Sequence, residues 1–221
     1  MTIQERQVNT MTDQKISIAV IRRLPRYYRY LNILIEEGTD RISSAELSQR
    51  MNVTASQIRQ DLNHFGGFGQ QGYGYNVKYL HSEIGKVLGL DKGHSMAIIG
   101  IGNFGKALAR NKDFESNDFY VKSMFDSDPA VIGREISGIT VQDAADLITT
   151  LRENPVDIAV LTVPKNAAAS LADKVIEAGV KAIWNFAHCE LEVPDDIVVE
   201  NVYLIDSLMR LSYNDSHRSQ K

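Results

Sequence analysis

The chain has 221 residues, 43% of them hydrophobic, a net charge of −4 and one cysteine. That is enough chain for a sizeable core and for two domains. No apolar run reaches the roughly 18 residues of a membrane span, the polar residues 1–14 lack the apolar centre of a signal peptide, and a lone Cys189 excludes an internal disulfide framework and fits a reducing cytoplasm.

The overall charge argues against a nucleic-acid binder, but the halves differ. Residues 1–90 hold 11 basic and 8 acidic side chains, whereas residues 91–221 hold 13 and 20. A mildly basic front and an acidic back point to different partners. The boundary is expected near Asp91-Lys92-Gly93-His94, dividing the chain into a flexible 1–14, a front domain 15–91, a back domain 92–202 and a terminal helix with tail, 203–221.

In chain order, Ile21, Leu24, Tyr28, Leu31 and Ile35 recur at steps of three and four, the mark of one buried helix face, which Gly38 ends. Pro25 must lie in the first turn or bend this helix. Arg22, Arg23, Arg26 and Arg29 cluster at its start, either as a solvated face or, for some such as Arg22 and Arg26, as phosphate contacts. Ser43 with Glu46 three residues on forms a capping box and opens a second helix through about Met51. Thr54 caps a third, from Ala55 to about Phe65, buried through Ile58 and Leu62.

Three helices with a turn of a few residues before the third make a helix-turn-helix. Its exposed face would offer Ser56, Gln57, Arg59, Gln60 and Asn63 to phosphates and base edges in a major groove. From Phe65 to Val77, glycines alternate with aromatics and end in a short strand; this looks like a wing, with Gln71 and Tyr73 near its tip as further DNA contacts. The competing reading is a helical dimerisation or substrate-binding module carrying a hairpin. Ile84, Val87, Leu88 and Leu90 then form a connecting helix.

The back half begins with the apolar run Ala97-Ile98-Ile99, then Gly100-Ile101-Gly102-Asn103-Phe104-Gly105 and helix formers. A Gly-x-Gly-x-x-Gly between strand and helix is the dinucleotide fingerprint: the first glycine permits a tight turn, the second lets a pyrophosphate approach the backbone, and the third lets helix and strand pack closely. A strand closing on Asp126 lies at about the 20-residue distance where an acid meets the adenosine ribose. Asp126 there would favour NAD(H) over NADP(H); alternatively Asp126 and Asp128 start a turn beside Pro129. Asp157 to Pro164 reads as a central parallel strand, Ala167 to Ala178 as a helix, and Ala182-Ile183-Trp184 as the next strand. The fold expected is therefore α/β: an N-terminal winged helix-turn-helix followed by a Rossmann-like doubly wound parallel sheet. Ligands bind beyond the carboxyl ends of such strands, where Thr162, Val163, Pro164, Asn185 and Phe186 also fall. The five histidines are scattered and nothing has metal-site spacing.

Leu24-Pro25-Arg26-Tyr27-Tyr28-Arg29, Gln57-Ile58-Arg59-Gln60-Asp61-Leu62, Phe65-Gly66-x-Phe68-Gly69 and Gly74-Tyr75-Asn76-Val77 resemble the DNA-binding domain of the Rex redox-sensing transcriptional repressors. Gly100-x-Gly102-Asn103-x-Gly105, Phe125-Asp126-x-Asp128-Pro129, Ile158 to Pro164 and Asn185-Phe186-Ala187 resemble their back domain, so the likeness runs from about Arg23 to Tyr213. The resemblance implies a cytoplasmic homodimer, not an enzyme, that binds an inverted-repeat operator in double-stranded DNA and is released by NADH, with NAD+ a weaker competitor. It also implies that Thr162-Val163-Pro164 and Asn185-Phe186 border the nicotinamide, with Asn103 and Phe104 as further cofactor contacts. The C-terminal helix, with Tyr203, Leu204 and Leu208, would be domain-swapped onto the other subunit. The sequence departs from the family pattern at His188, where a proline is usual, and at Gln60 and Gln71, where basic residues are expected. An arginine-aspartate-tyrosine switch of part of the family would fall on Arg29, Tyr203 and Asn111, and only Arg29 matches. His188 and Cys189 are either packing residues or, respectively, an acid and a thiol sensor. Two other classes remain in view: an NAD-dependent oxidoreductase and a coenzyme A-binding module.

Overall fold

The computed structural model describes residues 16–63, 69–70 and 74–217, and the chain divides into two units, Met1–Asp91 and Lys92–Lys221. The first unit opens with α1 (Ile18–Ile21) and α2 (Leu24–Glu36), where the apolar stripe predicts one continuous helix. Pro25 explains the break, because a residue without an amide donor belongs in a first turn, and it stands there in α2. Leu24, Tyr27, Leu31 and Leu34 are fully buried, Tyr28 and Ile35 flank them, and Ile21 is exposed.

β1 (Arg41–Ile42) leads into α3 (Ser44–Met51), whose capping box of Ser43 and Glu46 is present. Asn52 ends α3 in the left-handed conformation that asparagine tolerates, and Thr54 caps α4 (Ala55–Leu62) two residues later. β2 (Gly69–Gln70) and β3 (Gly74–Asn76) form the hairpin, and β1 pairs with β3 to complete a small antiparallel sheet. Gly74 has φ +69, and a side chain there would meet the Ile42 carbonyl oxygen at 2.7 Å, so this strand crossing demands glycine. α5 (Val77–Val87) follows and packs on α2. The expected segment Phe65 to Phe68, with Gln71 and Tyr73, lies outside the described residues.

One charged side chain sits in this core. Asp61 on α4 is wholly buried; it accepts both arms of Arg23 at 2.7 Å, the Tyr27 hydroxyl at 2.9 Å and the Gln57 amide at 2.8 Å. Burial alone would raise its pKa, but the bonds from Arg23, Gln57 and Tyr27 outweigh burial and hold it below the usual carboxylate value.

The second unit runs β4 (His94–Ile99), α6 (Asn103–Ala109), β5 (Phe119–Asp126), β6 (Glu135–Ile136), β7 (Ile139–Asp143), α7 (Leu147–Glu153), β8 (Ile158–Leu161), α8 (Lys165–Glu177), β9 (Ala182–Asn185), β10 (Val198–Asn201) and α9 (Leu204–Ser216). The strand order is β10-β9-β8-β4-β5-β7-β6, parallel except for the antiparallel edge strand β6. Strand order reverses between β4 and β8, the switch point at which open α/β sheets bind ligands. α7 and α8 cover one face through Leu147, Leu151, Ala172 and Val175. The other face packs against α6 and the segment carrying Phe114. No residue of α9 is buried.

His81 on α5 stacks on Tyr28, ring centroids 4.0 Å apart, with Nε2 buried and unbonded. Burial lowers its pKa from 6.5, so the folded chain holds it neutral while the unfolded chain takes up a proton first. Its contribution is complete above pH 6.5 and is lost as the pH falls toward the lower folded value. The His81→Phe variant, which keeps the stacking and cannot titrate, is expected to lose less melting temperature than the native chain between pH 7 and pH 5. Equal losses in thermal scans would contradict this.

Candidate functional site

The three glycines after β4 have different reasons to be glycine. A Cβ on Gly100, which has φ +96, would meet Val163 Cγ1 at 2.6 Å and the Thr162 carbonyl oxygen at 2.9 Å. A Cβ on Gly105 would meet the Gly100 carbonyl oxygen at 2.1 Å. Those two are dictated by packing of the turn against β8 and of α6 against the end of β4. A Cβ on Gly102 would meet no protein atom within 4 Å. Among the described residues nothing asks for glycine at that position, which caps α6 and leaves first-turn amides facing outward.

Two side chains hold the turn. Thr162 donates its hydroxyl to the carbonyl oxygens of Gly100 (2.5 Å) and Ile99 (3.1 Å). Asp126, at the end of β5, accepts the Ile101 amide at 2.5 Å through one oxygen and the Asp128 amide at 2.8 Å through the other. The turn-starting and ribose-facing readings of Asp126 are thus compatible, since a carboxylate offers about four acceptor positions.

A cleft of about 560 Å³ opens here between Gly102, Asp126, Asp143, Thr162, Pro164 and Lys174. Asp143 and Lys174 were missed in the sequence, although β7 brings Asp143 into register beside Asp126. A smaller pocket of about 150 Å³ shares Thr162 and Val163 with this cleft and is completed by Phe104, Phe186, His188 and Leu204. Phe104 meets Phe186 edge-on at 4.9 Å, and Phe186 meets Trp184 at 4.6 Å. Together the two spaces form a bent trough with an acidic end, a bare-backbone middle and an aromatic end.

Asn185, expected at the cofactor, does not line either space. It is buried, donates to the Cys189 carbonyl (2.7 Å) and Asn201 (2.8 Å), and accepts the Ala187 amide (3.0 Å), so it braces the loop carrying Phe186 and His188. Tyr203 donates its hydroxyl to Glu190 at 3.0 Å; burial and then Glu190 raise the pKa of its phenol.

In the first unit, Ser56, Arg59, Gln60 and Asn63 are exposed along α4, and Arg22 is exposed beside α1. Arg59 is steadied by Ser44 Oγ at 3.0 Å. Gln57 is a correction: its amide nitrogen turns inward to Asp61 rather than out toward a groove. The signal was present, because Asp61 follows Ile58 by three residues and so falls on the buried stripe, needing a donor from within reach. Arg26 donates to the Met51 carbonyl at the end of α3, and Arg29 stays exposed with its guanidinium 5.9 Å from the Tyr30 ring centre. Among the described residues no group of histidine, cysteine and carboxylate side chains could hold a metal, and no helix is long and apolar enough to cross a membrane.

A helix-turn-helix unit joined to a switch-point nucleotide cleft defines a class of ligand-responsive DNA-binding protein. Two family models match the chain: "Putative DNA-binding protein N-terminus" over residues 15–63 and "CoA binding domain" over residues 91–189. A redox-sensing transcriptional repressor Rex of Thermoanaerobacter pseudethanolicus is 52% identical over 199 residues, covering 90% of this chain and 89% of that one. The crystal structure of RSP, a Rex-family repressor, in complex with β-NAD+ and operator DNA has a TM-score of 0.86 at 50% identity, covering 93% of this chain and 96% of the other. RSP in complex with β-NADH gives 0.85 at 47% identity, covering 93% and 97%. The chain belongs to the Rex family of redox-sensing transcriptional repressors.

The glycines make a prediction about stability. Gly105→Ala is expected to cost about 3 kcal/mol or more, since backbone must move to admit the methyl group, whereas Gly102→Ala, at an ordinary φ of −70, is expected to change stability by less than about 1 kcal/mol. Denaturant titrations of the two variants check it; equal losses would refute the assignment of different roles.

Proposed function

We propose that the chain is a homodimeric transcriptional repressor that binds an inverted-repeat operator and releases it when NADH occupies the trough. The observation that carries this reading is Gly102: a backbone left bare toward a cleft that no protein atom fills, at the middle of a trough whose ends suit a ribose and a nicotinamide. Asp126 would accept ribose hydroxyls, with Asp143 beside it adding negative charge against a 2′-phosphate. The Gly102 turn would take the pyrophosphate. Phe104, Thr162, Val163 and Phe186 would enclose the nicotinamide. Bound NADH would supply only its shape and charge state to this chain, and the proposal assigns it no catalytic step.

In the first unit, Arg59 presented by Ser44, with Ser56, Gln60 and Asn63, would meet the operator, and Arg22 would meet phosphate. Two apolar surfaces of the second unit support dimerisation. Leu204, Ile205, Leu208, Met209 and Leu211 on α9 are each about half exposed or more. A groove of about 450 Å³ lies among Met96, Phe114, Phe119, Ile158, Trp184 and Val198. Patches of this kind mark interfaces, and a second copy of the chain, exchanging α9, would cover them. The protein then works in the cytoplasm, where its operator is.

The relatives support NAD(H) as ligand through the two RSP complexes. The coenzyme A reading is favoured by the matched domain description, and a melting shift with coenzyme A but not with NADH would establish it instead.

Arg59→Ala is expected to weaken operator binding by about 1–3 kcal/mol while NADH binding stays intact; Asp126→Ala is expected to weaken NADH binding while operator binding survives. Gel shifts at fixed salt, titrated with NADH and NAD+, check both. Folded variants that each fail at both tasks would contradict the division of labour.

A further inference from the structure

Within the 150 Å³ pocket, Phe104, Phe186, Val163 and Leu204 offer carbon, and Thr162 has its hydroxyl committed to the turn. His188 is different. Among the described residues no hydrogen bond engages its imidazole, and its backbone is held at φ +52, a conformation that costs a residue with a Cβ about 1 kcal/mol or more. The brace of Asn185 to the Cys189 carbonyl and the Ala187 amide fixes the residues on either side of it. A side chain with two free polar atoms is therefore held, against its backbone preference, at the edge of an aromatic pocket.

The position matters because of what the pocket adjoins. It shares Thr162 and Val163 with the cleft of Gly102 and Asp126, so a dinucleotide with its ribose at Asp126 and its pyrophosphate at Gly102 reaches it with its far ring. The oxidised nicotinamide ring carries a positive charge and the reduced ring carries none. Resting on the proposed NAD(H) function, we infer that His188 discriminates between the two redox states by charge: its imidazolium opposes the oxidised ring and is indifferent to the reduced one. Histidine is the side chain whose charge ordinarily changes between pH 5 and 8, and the carbon walls of Phe104 and Phe186 limit the water that would screen the repulsion. The response to the redox ratio thereby becomes a response to pH as well, with preference for NADH rising in acid.

Four other ionisable groups stand around this corner: Tyr203, Glu190, Cys189 and Asp206, the last three acting on the Tyr203 phenol. The Tyr203 ring lies 6.2 Å from His188, Glu190 accepts the Tyr203 hydroxyl, and Cys189 is the next residue. Glu190 is engaged by Tyr203 at 3.0 Å and Asn201 at 3.3 Å. Effects of pH on the common part of the two dinucleotides cancel when their affinities are taken as a ratio, so the ratio isolates the nicotinamide end.

The test is calorimetric titration of the full chain with NADH and with NAD+ at pH 6 and pH 8, beside His188→Asn and His188→Gly. Asparagine and glycine both accept the left-handed backbone, and neither titrates; melting curves verify that both variants fold. In the native chain the ratio of the NAD+ to the NADH dissociation constant is expected to rise about twofold to fourfold between pH 8 and pH 6, four being about the ceiling that linkage sets for one proton on a histidine side chain. In both variants it is expected to stay flat. NADH and NAD+ binding with a flat ratio in the native chain, or an equal slope in the variants, overturns the role of His188 while leaving the proposed function standing. Failure of the native chain to bind NADH overturns the proposed function, and this inference with it.

Discussion

The approach of α6 to the end of β4 is the constraint from which the second unit follows. With the Gly100 carbonyl only 2.1 Å from where a Gly105 side chain would begin, helix and strand can meet only as bare backbone. That meeting fixes the direction of α6, points its first amides beyond the strand ends, and sets the floor of the cleft. Thr162, just past the end of β8, and Asp126 from β5 then tie the turn from both sides, so the three central strands converge on one loop. Their three bonds to it and to the end of β4 leave Gly102 as the member of the glycine set answerable to something outside the described residues.

The first unit relies on a different device. Asp61 gathers Arg23, Tyr27 and Gln57 beneath α4 and so locks the helix that presents Arg59 against the start of α2. A buried carboxylate is costly unless its partners satisfy it, and here four donors do. Such a network gives up simple hydrophobic packing for a fixed helix orientation, which suits a surface whose side chains must keep register with a groove. The mild positive charge of residues 1–90 and the acidity of the remainder divide the chain electrostatically along the same line.

What could be read from the residues was whatever depends on near neighbours. The glycine turn, the Ser43–Glu46 cap, the helix-turn-helix spacing and the apolar central strands all declare themselves within a few positions. Short strands at or next to a sheet edge did not: β1, β6, β7 and β10 carry little apolar patterning because a partner strand, rather than their own sequence, defines them. Side-chain direction was equally hidden. Gln57 and Asn185 are polar residues beside candidate sites, and both turn inward, Gln57 to Asp61 four residues on in the same helix and Asn185 to its own loop and to Asn201 on β10. The stripe of α2 was read correctly at Leu24 and Leu31, while Tyr28 and Ile35 stand beside the fully buried Tyr27 and Leu34.

A cleft and a recognition helix in one chain form a switch only if occupancy of one changes the free energy of the other, and such coupling is reciprocal. The most direct measurement is therefore a closed cycle: operator affinity with and without saturating NADH, and NADH affinity with and without operator, at one salt concentration. The account predicts that NADH weakens operator binding and that operator weakens NADH binding by the same factor. If NADH binds the operator complex as tightly as it binds the free protein, the two units act independently and the redox-switch account is wrong.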